Sequence, residues 1–181
     1  MRSLRPAYFF IALVLPLSPS LADDACSAVV PAKLAAVAAS AFPGYRAPRD
    51  TDNLAEDVSA WAKNGKGCIS AVKGDFYGDG MTSYLLAMTS MRSNNAGVVV
   101  AARGVHDKWQ FETLETLSEG RNRLFLDRGR PGTYHDGGSE NSGAGAPLFC
   151  THDVVLMGAT EAGEAAYCRL EKGWRHVVLS D

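Results

Sequence analysis

The sequence predicts an α+β fold: an antiparallel sheet of consecutive hairpins with two N-terminal helices packed on one side. Three observations carry this. Apolar residues recur at helical spacing between residues 27 and 64. From Cys68 onward the chain changes to short runs rich in apolar and β-branched residues, parted by Gly, Asn and Asp clusters. Two of those stretches, VVVAARGVHDKWQFETL and AAYCRLEKGWRHVVL, both read strand, polar turn, tryptophan, strand, with Trp109 and Trp174 in matching places. Repeated hairpins of this kind build a sheet of sequential antiparallel neighbours.

The first residues, MRSLRPAYFFIALVLPLSPSLADDAC, have the order of an export leader. Arg2 and Arg5 supply a positive start, Tyr8 to Leu17 a short apolar core, and Ser20-Leu21-Ala22 a small-x-small ending. Pro16 and Pro19 interrupt an apolar run already shorter than the roughly 20 residues that span a bilayer. The expectation is a signal peptide over 1–22, cleavage after Ala22, no membrane insertion afterwards, and a periplasmic or secreted product. Loss of the two arginines takes the formal net charge from −2 to −4. A mildly acidic chain with interspersed charges argues against nucleic acid or an anionic membrane as a partner.

Four cysteines, Cys26, Cys68, Cys150 and Cys168, all follow the leader. An even count in an oxidising compartment reads as two disulfides. Cys26–Cys68 and Cys150–Cys168 are the preferred pairs, because each closes a loop within one half of the chain. No CxxC occurs and no histidine stands at ligand spacing, so zinc is not indicated.

Residues 23–67 form the helical segment of what reads as one domain over 23–181. In SAVVPAKLAAVAASAF (27–42), Val30, Leu34, Val37 and Ala41 recur at helical spacing, and Pro31 is tolerated in a first turn. Pro43 and Gly44 stop this helix. In NLAEDVSAWAKNGKG, Asp52 or Asn53 can cap, and Leu54, Val58 and Trp61 share a face. Residues 68–181 are the sheet region. CISAVKGDF, TSYLLAMTS, AGVVVAARG, KWQFETLETL, RLFLD, HDVVLMG, AAYCRL and GWRHVVLSD are its strands. GRPGTYHDGGSENSGAGAP (129–147) is nearly free of apolar residues and reads as a long loop.

The stretch most suited to chemistry is KGDFYGDGMTSYLLAM (73–88). Carboxylates at alternating positions with glycine at the sharp turn are how chains supply oxygens to calcium. Asp75 and Asp79 hold the first and fifth places, and Ser83 the ninth. Leu86 stands where an EF-hand has its bidentate Glu. The same residues also make a β-hairpin turn, with Gly78 and Gly80 supplying positive φ and the aspartates accepting backbone amides. GDFYGDGMTSYLLAM resembles the GDFNGDG motif of FG-GAP-type repeats, also called VCBS-like. There the loop joins two strands and often binds calcium. The resemblance implies Asp75, Asp79 and Ser83 as metal-side residues and Ca2+ as the possible cofactor. Tyr77 and Ser83 depart from the family's Asn/Asp and Asp. In outline the chain is also similar to small exported bacterial proteins of unassigned function with a single such motif. One copy cannot build the propeller of the repeat proteins.

Catalytic patterns are missing: there is no G-x-S-x-G elbow and no H-E-x-x-H. His135-Asp136 and His152-Asp153 flank the glycine-rich loop with Ser139, Glu140 and Ser142 between, the one arrangement that would serve an unrecognised hydrolase. The sequence therefore predicts a non-enzymatic binding or inhibitory protein of the bacterial envelope, stabilised by disulfides, whose partner is another protein. Tyr134 and His135 are the expected binding anchors, because aromatic residues set among Gly, Ser and Asn make an adaptable contact surface.

Overall fold

The computed structural model describes residues 24–137, 146–160 and 162–180. The leader, Ser139, Glu140 and Ser142 lie outside the described residues. In chain order the elements are α1 (Ala25–Val29), α2 (Ala32–Ala41), β1 (Tyr45–Arg46), α3 (Ala55–Lys63), β2 (Ala71–Gly74), β3 (Ser83–Ser90), β4 (Gly97–Val105), β5 (Lys108–Leu117), β6 (Leu124–Gly129), β7 (Gly132–Tyr134), β8 (Leu148–Cys150), β9 (Val154–Ala159), β10 (Ala162–Leu170) and β11 (Gly173–Ser180). Antiparallel strands dominate and helices are few.

The helix expected over 27–42 is broken in two. Pro31 takes the N-cap of α2, and α1 closes before it with the Val30 amide donating to the Cys26 carbonyl. A proline inside a continuous helix would remove a hydrogen bond and clash with the preceding turn. The inward face is displaced as well. Leu34 and Ala38 are buried, whereas Val37 and Ala41 face solvent.

The strands divide between sheets. The first has the order β1-β3-β4-β5, with β2 also pairing β3. The second has the order β11-β10-β9-β6. Leu85, Ala87, Val99 and Ala101 of the first sheet meet Leu124, Leu126, Val155, Met157 and Tyr167 of the second. The alternate residues Leu86, Met88, Val98, Val100 and Ala102 form the other core with Cys26, Val30, Leu34 and Ala38. β3 and β4 are thus buried on both faces, which explains why YLLAM and VVVAA do not alternate with polar residues.

A third, two-stranded sheet pairs Gly132 with Cys150, Thr133 with Phe149 and Tyr134 with Leu148. Residues 132–134 are therefore strand where the sequence predicts loop. Tyr134, Leu148 and Cys150 pack against Val154, Ala166 and Cys168 on the outer face of the second sheet. The bonded cysteines are Cys26–Cys68 and Cys150–Cys168.

The connections fall at two ends of the sandwich. At one pole lie the 75–82 loop, the two-residue turn His106-Asp107, the 151–153 turn and the β10–β11 turn. His106 and Asp107 both have positive φ, as a type I′ hairpin requires. At the other pole lie residues 91–96, 118–123 and Thr160, where the Asn95 carbonyl accepts from the Arg121 amide and the Arg123 carbonyl from the Thr160 amide.

Candidate functional site

The 75–82 loop is held from inside. Ser83, buried at the start of β3, uses its hydroxyl twice: it donates to the Gly74 carbonyl at 2.8 Å and accepts from the Phe76 amide at 3.0 Å. Phe76 is fully buried between the sheets and anchors the loop apolarly. Asp75 accepts from the Asp79 amide at 3.1 Å through Oδ1 and from the Gly80 amide at 3.0 Å through Oδ2. Asp79 Oδ1 accepts from the Met81 amide at 2.9 Å. Gly78 and Gly80 both adopt positive φ.

The 151–153 turn clamps this loop from the second sheet. Asp153 Oδ2 accepts from the Asp75 amide at 2.9 Å, and the Asp153 amide donates to the Asp75 carbonyl at 3.2 Å. A Cβ added at Gly74 would stand 2.7 Å from Asp153 Oδ2, and one at Gly78 would stand 2.9 Å from His152 Nδ1. Both glycines are close-approach positions in addition to any turn requirement. Arg128 lies 3.8 Å from Asp153.

Tyr77, the residue that departs from the calcium pattern, faces a cluster drawn from four strands. Its ring meets Trp174 edge-on at 5.9 Å, and the Arg103 guanidinium lies over it at 4.6 Å. Arg169 pairs with Glu112 at 3.1 Å, and the Trp174 indole N–H donates to the same carboxylate at 3.0 Å. Burial, helped by Glu112 and opposed by the two arginines, pushes the Tyr77 hydroxyl up to about 12, so it is neutral at physiological pH. Tyr77, Gly78, Arg103, Thr151, His152 and Arg169 line an open cleft of about 430 Å3. The arrangement presents stacked arginine, aromatic rings and a hydrogen-bonded loop side by side.

The other expected site residues are elsewhere. Tyr134 is half-buried in the outer cluster of the second sheet, and its hydroxyl donates to the Arg130 carbonyl at 2.6 Å. His135 follows it, exposed. Tyr134 and Tyr77 therefore belong to opposite faces of that sheet. At the helical end, Cys26, Cys68 and Asp50 bring potential ligand atoms within 4.8 Å of one another. Both sulfurs are committed to their disulfide and offer no thiolate. Burial raises Asp50 above the usual carboxylate range against the Ala25 amide, and neighbouring Asp24 adds to the rise.

Sequence reasoning missed the partners of Tyr77. Nothing in the sequence marks Arg103, Glu112 and Arg169, because only sheet pairing brings them together. It also missed Arg121, which is fully buried. Arg121 donates to Asn53 Oδ1 at 3.1 Å and to the Ala87 carbonyl at 2.5 Å. Asn53 in turn donates to the Leu124 carbonyl at 2.8 Å, and Asp52 accepts from Thr89 at 2.9 Å and pairs with Arg46. Burial pushes the Arg121 guanidinium down to about 10, with Asp52 opposing and Arg46 adding, so it stays charged at neutral pH.

No family model, no curated protein and no solved structure matches this chain.

Proposed function

We propose that this chain is an exported, disulfide-stabilised protein that binds another protein of the bacterial envelope by contact and performs no chemistry of its own. In this reading residues 23–181 act as one domain, with the helical segment as cover for the sheet region. The contact surface is the pole carrying the 75–82 loop, the 151–153 turn and the Tyr77 cluster. One observation carries the reading: this loop is exposed at Gly78–Thr82 yet braced by hydrogen bonds from Ser83, Asp75 and Asp153. A surface already ordered loses little conformational entropy on binding. Tyr, Trp and Arg, the residues beside it, are the types that dominate binding energy at interfaces. Tyr134 and His135, toward the opposite face of the second sheet, would form a second contact of their own.

The test is chemical cross-linking of the tagged mature protein in living cells, compared with Tyr77→Ala/Arg103→Glu and with a Met91→Ser control at the opposite pole. A specific partner lost only in the double variant supports the reading. The same partners captured by both variants, with both folded, would count against it.

A second reading has its own observation. Asp153, a residue the motif alone does not contain, accepts from the Asp75 amide at the edge of the calcium-like loop. A weak extracellular-type site, with Kd of about 10⁻⁴–10⁻³ M, would add about 0.6–1.8 kcal/mol in roughly 2 mM calcium. That corresponds to a rise of about 2–6 °C in melting temperature. The check is a melt in EDTA and in calcium, repeated with Asp79→Ala. An unchanged midpoint in calcium leaves the loop as a braced turn.

A further inference from the structure

The cleft beside Tyr77 contains two arginines whose donors are spent differently. Arg169 is used up by its own chain. Its Nε and Nη2 lie 3.1 and 3.5 Å from the two oxygens of Glu112, and its Nη1 donates to the Leu170 carbonyl. Arg103 is not used up. Its Nε and Nη2 donate to the amide oxygen of Gln110 at 3.3 and 3.2 Å, and among the described residues it forms no ion pair. A guanidinium carries five N–H donors in a planar fork. Gln110 takes the Nε–Nη2 edge. The Nη1–Nη2 end, which can grip a planar anion through two parallel bonds, has no partner among the described residues.

That end is held in place. The Arg103 guanidinium lies 4.6 Å from the centroid of Tyr77, whose ring packs edge-on against Trp174. A long side chain already pinned by a ring and an amide loses little rotamer freedom when a ligand arrives. The rest of the cleft selects the kind of anion. Leu170, 38 % exposed, gives it an apolar shoulder. Glu171 beside it is exposed and carries the opposite charge to Arg103. A multiply charged anion is opposed by Glu171, whereas a single carboxylate is matched by the one uncommitted guanidinium. His152 is wall only: its Nε2 is buried, and its Nδ1 lies 3.3 Å from the Thr151 hydroxyl.

We propose that Arg103 receives one carboxylate from the partner protein, carried on an apolar stem that rests on Leu170. The inference rests on the reading of this pole as the contact surface. An acidic side chain and a free C-terminus present the same two oxygens, and the test separates them.

The experiment is an NMR titration of the isotope-labelled, oxidised mature protein. N-acetyl-leucine stands for a C-terminus and N-acetyl-glutamate α-amide for a side chain. N-acetyl-leucinamide is the neutral isostere, and inorganic phosphate the multiply charged anion. The expected result is saturable movement of the Arg103 Nε–H and Gly78 amide signals with at least one acid, none with the leucinamide, and weaker binding of phosphate. The acid that binds more tightly names the source. Arg103→Gln weakens it at least tenfold, and Glu171→Gln strengthens it a few-fold. Saturation by neither acid, equal movement with the leucinamide, tighter binding of phosphate, or unchanged affinity in Arg103→Gln overturns the assignment. Should Arg103→Gln not fold, the exposed Glu171→Gln decides, and unchanged affinity there refutes it. Acid binding with no partner cross-linked at this pole removes the proposed function and leaves the carboxylate site. A partner captured there without acid binding does the reverse.

Discussion

The two poles of the sandwich each hold an arginine among aromatic or polar neighbours, and the two arginines do opposite things. Arg121 at one pole is sealed. Its charge is spent on Asn53 and Ala87, which tie the 50–53 turn to β3 and to the start of β6. Arg103 at the other pole lies on the ring of Tyr77 at the mouth of a cleft, with Gln110 as its polar neighbour. The lesson is that burial, and not residue type, separates an arginine that holds the scaffold from one that lies at the rim, where the proposed function places the partner. A charge enclosed by its own chain fixes the fold, and a charge stacked at a rim is held by fewer groups of its own chain.

The comparison breaks or sharpens by substitution. The largest effect is expected from Arg121→Ala. Removing one member of a buried charged network costs about 3–5 kcal/mol, read as a lower midpoint in urea denaturation. Survival of most of the stability would mean that the sealed pole is ornamental. Ser83→Ala comes next, since the Phe76 amide and Gly74 carbonyl lose their shared hydroxyl. Its cost is about 1–3 kcal/mol, measured the same way, and should not depend on calcium. Gly78→Ala costs about 1–2 kcal/mol from its left-handed φ alone, and it also presses on His152. Arg103→Ala has the smallest effect on stability, about 0.5–1 kcal/mol for one cation–π contact, while under the proposed function it removes partner capture in the cross-linking experiment. A stability loss comparable to that of Arg121→Ala would erase the distinction between the poles.

Alkaline titration probes the Tyr77 cluster and the core between the sheets. Tyr77 in its cluster, and Tyr167 beside Glu115 in the inter-sheet core, are both held near 12 by burial first and a neighbouring carboxylate second. Free tyrosine ionises near 10, so the unfolded chain releases these protons earlier than the folded one. Their contribution is complete below about pH 10 and is lost as pH rises toward 12. Unfolding followed from pH 9 to 12 should steepen over that window, and Tyr77→Phe should flatten it.

Much of the strand content was legible because hairpins leave local marks. KWQFETLETL is β5 residue for residue, and His106-Asp107 is the turn before it. Assignment of strands to two sheets was not legible, because side-chain alternation says which residues share a face and not which sheet they join. β7 escaped notice since GTY is short and set among glycines, and its pairing partner LFC is fourteen residues further on. Pro31 was read as the interior of a first turn when it is the cap of a second helix. At the site, the bracing aspartates of the loop were visible in the motif. The role of Tyr77 was not, because Arg103, Glu112, Arg169 and Trp174 come from distant positions that only sheet pairing assembles.

The Cys26–Cys68 bond joins residues 42 apart and spans all three helices. It makes that stretch a covalent ring. A protease that cuts once anywhere inside the ring produces no fragments: the nicked molecule keeps its mass on a non-reducing gel and parts into two bands only after thiol treatment. A single scission there is a wound that the molecule carries without coming apart, an advantage if the chain is exported as proposed.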